Sequence, residues 1–446
     1  MRAVFGATIF AALLALGAPA LAQHTLHTLE QNGPADNRID LVVLGDGYSA
    51  AEQDKLVADA ESALGYMFDE NPYEGYASFF NLYAVATVSS QSGVDHPGEG
   101  ISKNTFFDCG YDCANTDRLI CCDDQTALQV AGDLVPGFDN AIIIVNDSEY
   151  GGSGGTISVI SREVNSMKVL AHEFGHTFGD LADEYETPYP GFKFNDVYPN
   201  VSAKPANWDL LKWTQWVESG TPVPTPDSAK TTDLAPVGAF EGACYAATGR
   251  FRPVFNCLMR NVGAHMCAVC SEALVLAFYK SVEPIDEHSP TSLSVSGAAG
   301  DTLDFSVTAI SPTPDTMTVE WSMNGNKLGD ASGETIGLPV ECLNPGANTV
   351  EAAVRDTTDK VRLDPTNLMK QTVTWTVTRT DGGTAVDCSG LVDTEPDTDT
   401  GAGGDASAEG GPTDTEDDGD QRDSSDCGCD ATGHRGAGLL SLLSLL

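Results

Sequence analysis

Apolar and polar positions in the first half of the chain follow two different periods. Short apolar runs rich in β-branched residues are typical of buried strands, and apolar residues spaced three to four apart are typical of helices. Strands are predicted at residues 39–45, 79–88 and 141–145. Helices are predicted at residues 49–68, 125–134 and 163–178. The pattern therefore predicts an α+β domain, which we assign to residues 23–287.

The pattern changes after Pro284 to short alternating runs separated by turn residues. One of these turns is Asn324-Gly325, the pair that tight β-hairpins prefer. Several short strands at this spacing are typical of a two-sheet β-sandwich. We therefore predict an immunoglobulin-like β-sandwich at residues 288–388.

The two ends of the chain have the composition of processing and linker segments. Residues 1–22 combine a charged start, an apolar run and an Ala-Leu-Ala cleavage site, which predicts a signal peptide and a secreted protein that begins near Gln23. Residues 389–426 are acidic and almost free of apolar side chains, which predicts a disordered linker. Residues 427–446 hold Cys-Gly-Cys and an apolar tail too short to span a bilayer, so we expect no transmembrane span in the mature chain.

Charge and cysteine content narrow the choice of partner and compartment. A formal net charge of −42 argues against nucleic acid or an anionic membrane as a partner, because both are polyanions. The chain has twelve cysteines, and in an exported protein these predict disulfides first. Cys267-x-x-Cys270 leaves two other interpretations open, a redox pair or half of a structural zinc site with Cys244 and Cys257.

The candidate chemistry lies in His172-Glu173-Phe174-Gly175-His176. Two histidines four residues apart on a helix share one face, so both imidazoles can bind one Zn²⁺ ion. Glu173 is offset by one residue and can act as the general base that takes a proton from a zinc-activated water. The motif predicts a zinc site with two histidine ligands and one catalytic glutamate.

The third metal ligand must come from an acidic cluster downstream, whose members are Asp180, Asp183, Glu184 and Glu186. A straight helix would carry Asp183 about 16 Å along its axis from His172, so the chain has to turn back. Gly179 is the residue that we expect to allow this turn, because glycine adopts positive φ without steric cost. We predict Asp183 as the ligand, with Glu184 as the second choice.

The sequence from His172 to Tyr185, HEFGHTFGDLADEY, resembles the signature of the M64 peptidases, a family named for an immunoglobulin A peptidase and related to the metzincins. The resemblance covers roughly residues 38–282 and includes the stretches LGDGY at 44–48, EGACY at 241–245, MR at 259–260 and CAVC at 267–270. It implies a metzincin-like α+β fold in which Met259 forms a methionine turn beneath the zinc. The metzincin pattern places its third ligand ten residues after the first histidine, which is Ala182 in this chain, so Asp183 lies one residue late.

The C-terminal tail resembles bacterial surface-sorting tails of the Myxo-CTERM kind, although it lacks their terminal arginine cluster. Retention at a bacterial cell surface is therefore a further hypothesis beside secretion.

These features together predict a secreted zinc endopeptidase acting on a protein or peptide substrate. Two other functions stay open: a catalytically weak surface adhesin that binds through its β-sandwich, and a zinc hydrolase of cell-wall peptides. The intact Glu173 argues against the adhesin, because a binding scaffold does not need that carboxylate. Neither the substrate nor the oligomeric state follows from the sequence.

Overall fold

The computed structural model describes residues 24–188, 192–203, 211–329 and 331–388. The predicted signal peptide, acidic linker and apolar tail lie outside these described residues. Within them, none of the helices combines the length and the apolar composition that crossing a membrane would require.

A six-stranded mixed sheet organises the N-terminal part. Its strands are β1 (Thr25–Glu30), β2 (Ile39–Asp46), β3 (Phe80–Ala86), β4 (Asn140–Val145), β5 (Gly152–Ser153) and β6 (Ser158–Ser161). They are ordered β1-β3-β2-β4-β6-β5, with the four central strands parallel and both edge strands antiparallel. The three predicted strands are confirmed as β2, β3 and β4. The other three were not predicted.

Helices cover both faces of this sheet. They are α1 (Gln53–Phe68), α2 (Asp124–Leu134), α3 (Val164–Thr177) and α4 (Ala268–Ser281). Side chains alternate along β2, so that Leu41 and Val43 share a core with α1, α3 and α4, whereas Val42 and Leu44 pack towards α2. This part of the chain therefore has three layers, and α3 lies on the larger of the two cores.

The first helix begins later than its sequence predicts. Ser49 was the expected N-cap, but α1 starts at Gln53 with Glu52 as its N-cap. The Ser49 backbone N–H and hydroxyl both donate to a Glu52 carboxylate oxygen, at 2.9 and 2.6 Å. The two residues do interact as a capping pair would, but they stabilise the turn that precedes the helix.

A hairpin of β7 (Phe240–Ala243) and β8 (Ala246–Arg252) precedes α4. Two disulfides, Cys109–Cys122 and Cys113–Cys121, cross-link the long loop between β3 and α2. The prediction that cysteines of this chain form disulfides is therefore confirmed for this loop.

The C-terminal part consists of two further sheets. One contains β10 (Ser294–Gly297), β16 (Lys370–Arg379), β15 (Gly346–Asp356), β12 (Met317–Met323) and β13 (Asn326–Lys327), and the other contains β14 (Thr335–Pro339), β11 (Thr302–Ala309) and β9 (Ile285–Ser289). Both sheets contribute to one core around the stacked rings of Trp321 and Trp375. The disulfide Cys342–Cys388 joins the end of the described chain to this core.

Buried polar contacts connect the two parts. The Asp356 carboxylate, at the end of β15, accepts hydrogen bonds from the Tyr76 and Tyr279 hydroxyls at 2.7 and 2.8 Å. Asp356 is buried, so these bonds replace its contacts with water. The β-sheet part is thus attached directly to α4 and to the segment before β3.

Candidate metal centre

The motif lies on α3, whose start is fixed by a side-chain cap. The Glu163 carboxylate accepts hydrogen bonds from the backbone N–H groups of Asn165 and Ser166 at 2.7 and 3.1 Å. These bonds satisfy donors that the first helical turn leaves unpaired. The helix therefore runs in a defined register to Thr177, which places His172 and His176 one above the other.

The chain turns back directly after the helix, which a third ligand downstream of His176 requires. The Leu181 N–H donates to the Gly175 carbonyl at 3.1 Å, which folds the following segment against the last turn of α3. The residue with positive φ is Asp180, at 53°, and not Gly179. Aspartate is among the few non-glycine residues that adopt this conformation readily.

Gly179 is needed for a different reason than the one predicted. A methyl group placed on it would lie 2.8 Å from Leu274 Cδ2 and 2.9 Å from the Gly175 carbonyl oxygen. These separations are shorter than real side chains adopt. The prediction of positive φ at Gly179 was therefore wrong, and close packing against α4 explains the glycine.

Three predicted ligands converge at this turn. His172 Nε2 and His176 Nε2 lie 3.0 Å apart, and Asp183 Oδ1 lies 3.2 Å from each of them. Zinc bonds of about 2.0 Å at tetrahedral angles would separate ligand atoms by about 3.3 Å. The spacing of these three atoms therefore fits one zinc ion.

The protonation of the histidines supports the same fit. His172 Nδ1 lies 3.0 Å from the Leu258 carbonyl oxygen, and His176 Nδ1 lies 2.7 Å from the Leu181 carbonyl oxygen. A carbonyl only accepts, so in each neutral ring Nδ1 carries the proton and Nε2 presents a lone pair. Two lone pairs and a carboxylate oxygen that face one another repel, unless a cation lies between them.

The Asp183 carboxylate is held from both sides. Asp183 is buried, Oδ1 faces the histidines, and Oδ2 accepts a hydrogen bond from the Tyr245 hydroxyl. Burial alone would raise the pKa of this carboxyl, but positive charge on the side of His176 and His172, where a bound cation would lie, lowers it below its ordinary value. Asp183 therefore carries the negative charge that a cation requires of a ligand.

Glu173 follows His172 in the motif, and its side chain is fully buried. Neither of its carboxylate oxygens has a hydrogen-bond partner among the described residues. Buried carboxylates are almost always paired, because an unpaired one loses its hydration without compensation. The carboxylate on the residue after His172 is therefore free to bind an additional group, such as a water molecule.

Met259 lies directly beneath the histidine turn. A methyl group placed on Gly175 would lie 3.0 Å from Met259 Sδ, so this glycine allows the methionine to approach the helix backbone. Met259 is fully buried. The residue predicted as a methionine turn is therefore adjacent to the helical turn that carries both histidines.

Glu184, the rival third ligand, belongs to a different group. Its carboxylate lies with the Cys257, Cys267 and Cys270 thiols, and one donor atom from each falls within 4.8 Å of the others. All three cysteines are buried thiols that form no disulfide with one another, contrary to the disulfides predicted for this neighbourhood. Burial raises the pKa of the Cys257 and Cys270 thiols, whereas hydrogen bonds from these two thiols outweigh burial at Cys267 and lower its pKa to about 6.

Several contributors to the centre were not predicted. Asn200 donates from Nδ2 to the Ala182 carbonyl at 2.7 Å and accepts from the Ala182 N–H at 2.8 Å, which fixes the segment just before Asp183. Tyr245 and the Leu258 carbonyl orient Asp183 and His172. Tyr245 and Leu258 lie in or next to the stretches that carry the family resemblance, but only the folded chain shows what each of them contacts.

One family model matches more than half of the chain. The family model described as IgA Peptidase M64 matches residues 27–235 and 229–278. These matches include the histidine motif, the acidic segment and the cysteine group. No curated protein matches the chain.

Proposed function

The chain belongs to the M64 family of peptidases, and we propose that it is a zinc-dependent endopeptidase. The observation that carries the proposal is the convergence of His172, His176 and Asp183, on a helix that also carries the unpaired carboxylate of Glu173. Two imidazoles and one carboxylate leave a fourth tetrahedral position open, as catalytic zinc sites require.

His172, His176 and Asp183 would hold the zinc ion. When bound, zinc polarises the peptide carbonyl and lowers the pKa of a coordinated water molecule to about 7. The Leu258 and Leu181 carbonyls keep both imidazoles in the tautomer that presents Nε2 to the metal. The Tyr245 hydroxyl holds the far oxygen of Asp183, so that Oδ1 stays directed at the histidines.

Glu173 performs the proton transfers in this proposal. Its unpaired carboxylate accepts a proton from the attacking water and later donates it to the amine that leaves the cleaved peptide bond. A hydrogen bond from a neighbouring side chain would compete with the water for these oxygens. Among the described residues there is no such competitor.

The proposal extends to the fold and to the cellular location of the enzyme. We propose a metzincin-like fold for the first part and an immunoglobulin-like sandwich for the second, whose two sheets share one core. Secretion is supported by the sequence of residues 1–22 and by three disulfides, which persist in oxidising compartments. An adhesin function is disfavoured, because the buried and unpaired Glu173 would only destabilise a binding scaffold.

The test compares Glu173→Gln with Glu61→Gln in the full chain, using bound zinc and cleavage of a mixed peptide library as readouts. Glu61 is an exposed glutamate on α1, so the control makes the same chemical change at a position in contact with solvent. We expect Glu173→Gln to retain zinc and to lose about 10²–10⁴-fold in kcat, the usual contribution of a general base. Stoichiometric zinc with cleavage unaffected by the substitution would contradict the proposal.

A further inference from the structure

A second group of potential metal ligands lies next to the first one in sequence. Glu184 follows Asp183 directly, and its carboxylate meets the thiols of Cys257, Cys267 and Cys270. All four residues are buried. A buried carboxylate is costly unless it is paired, and the three thiols that it meets are potential metal ligands.

The separations within this group fit a tetrahedral metal site. Cys257 Sγ and Cys270 Sγ lie 3.8 Å apart, and Cys270 Sγ lies 3.3 Å from Glu184 Oε1. Zinc–sulfur bonds of about 2.3 Å at tetrahedral angles would place two sulfurs about 3.8 Å apart, and a sulfur and an oxygen about 3.5 Å apart. A disulfide would instead require sulfurs about 2 Å apart.

The backbone around the group is arranged to stabilise thiolates. The Cys267 N–H donates to Cys257 Sγ at 3.3 Å, and the Cys270 N–H donates to Cys267 Sγ at 3.5 Å. Cys267 is the N-cap of α4, where unpaired N–H groups and the helix dipole favour negative charge. Thiolates are the form in which cysteine binds metals.

The carboxylate adds an independent observation. Glu184 Oε1 accepts a hydrogen bond from Asn200 Nδ2 at 3.0 Å, but Oε2 is buried and has no partner among the described residues. A bound cation at this group of thiols would compensate the buried charge of this carboxylate.

We propose that Glu184, Cys257, Cys267 and Cys270 bind a second zinc ion with a structural role. Four protein ligands close the coordination sphere, and such closed sites contribute to folding. Sulfur-rich tetrahedral sites select zinc over magnesium or calcium. This site uses none of the residues proposed for catalysis, so it stands or fails independently of the peptidase proposal.

The second site is linked through the backbone to segments that form the first site. The Glu184 N–H donates to the Met259 carbonyl at 2.7 Å, and the residue between Cys257 and Met259 supplies the carbonyl that orients His172. The second ion therefore joins the segment of Asp183, the segment beneath the histidines and the start of α4. Its ligands position the catalytic centre without touching it.

The first experiment measures the zinc content of the full chain, purified without chelators, and its zinc K-edge X-ray absorption. We expect two zinc ions per chain and a zinc–sulfur shell at about 2.3 Å. A single zinc ion without sulfur scattering would overturn the proposal. So would a peptide map that shows a disulfide among Cys257, Cys267 and Cys270.

The second experiment separates the two sites with variants. His172→Ala is expected to reduce zinc from two ions to one and to leave a spectrum dominated by sulfur. Cys257→Ser combined with Cys267→Ser is expected to remove the sulfur shell and to lower Tm, or to prevent folding. Because the His172→Ala variant keeps all four ligands of the second site, loss of the sulfur shell in that variant would also overturn the proposal.

Discussion

Asp183 and Glu184 are neighbours in the chain, yet their carboxylates belong to two different groups. Asp183 faces two imidazole nitrogens beside an unpaired glutamate, and the His176 side chain retains 9% of its exposure. Glu184 faces three thiols, and every member of its group is buried. One group contains two imidazoles and is slightly exposed at His176, and the other contains three thiols and is buried throughout.

Under the two proposals, this difference is what separates a catalytic from a structural metal site within one fold. Both groups offer donor atoms at tetrahedral spacing, so spacing alone does not assign a role. The first group supplies three ligands and an adjacent base, which leaves a position for water and substrate. The second supplies four ligands, which leaves no open position.

The largest effects are expected when the charge of Asp183 or of Glu184 is removed. Asp183→Asn should lose the zinc of the histidine centre and reduce activity by more than the roughly 100-fold that loss of an outer contact causes. Glu184→Gln should keep that zinc, lose the sulfur-bound zinc and lower Tm. Site-resolved zinc measurement by X-ray absorption, together with peptide cleavage, distinguishes the two outcomes.

The matched control for this pair is Asp180→Asn, an exposed position in the same turn that asparagine tolerates at positive φ. It should change neither zinc content nor activity. Loss of the histidine-bound zinc in Glu184→Gln but not in Asp183→Asn would reverse the assignment of the two carboxylates.

A smaller effect is expected from Tyr245→Phe, which removes only the hydroxyl that holds Asp183 Oδ2. Because groups behind a ligand orient it, zinc affinity at the histidine centre should fall about 10–100-fold. The sulfur-rich site should be unaffected. Competition with a calibrated chelator measures both affinities, and Tyr66→Phe on α1 serves as the control. Equal weakening of both sites would mean that the two groups are not separate.

The smallest effect is expected from Gly179→Ala, which tests how closely the turn after α3 packs against α4. The added methyl group would lie 2.8 Å from Leu274 Cδ2, and overpacking of this kind costs about 1–3 kcal/mol in the free energy of unfolding. Gly65→Ala lies within α1, where an added methyl group meets no atom within 4 Å. It should stabilise the protein by about 0.5–1 kcal/mol. Denaturant unfolding of both variants measures the difference, and equal effects would show that Gly179 is not required for packing.

Local sequence patterns predicted the elements that are long and strongly periodic. The apolar runs of β2 and β4 and the spacing of α3 are visible in the sequence, because each buries a continuous face. The edge strand β1 was not predicted, since its side chains are mostly exposed or partly exposed and carry no apolar run. Its pairing with β3 depends on a partner that is distant in sequence.

The same limit applies to the candidate site. The His172 and His176 spacing is a property of one helix, so the sequence was sufficient to place both residues together. The choice between Asp183 and Glu184 depends on the turn after α3. The residue with positive φ in this turn is Asp180, and no local sequence signal favoured Asp180 over Gly179. The disulfides predicted around Cys267 failed for a similar reason, because cysteine spacing does not reveal which other side chain completes the group.

Within the described residues, six cysteines are paired in disulfides while Cys257, Cys267 and Cys270 remain thiols. A folding chain with this pattern faces a kinetic competition, because the oxidant that closes the first set can also attack the second. Thiolates bound to a metal and enclosed in the interior react slowly with oxidants. A molecule therefore reaches its folded, metal-bound form only if the three thiols bind metal before the oxidant reaches them.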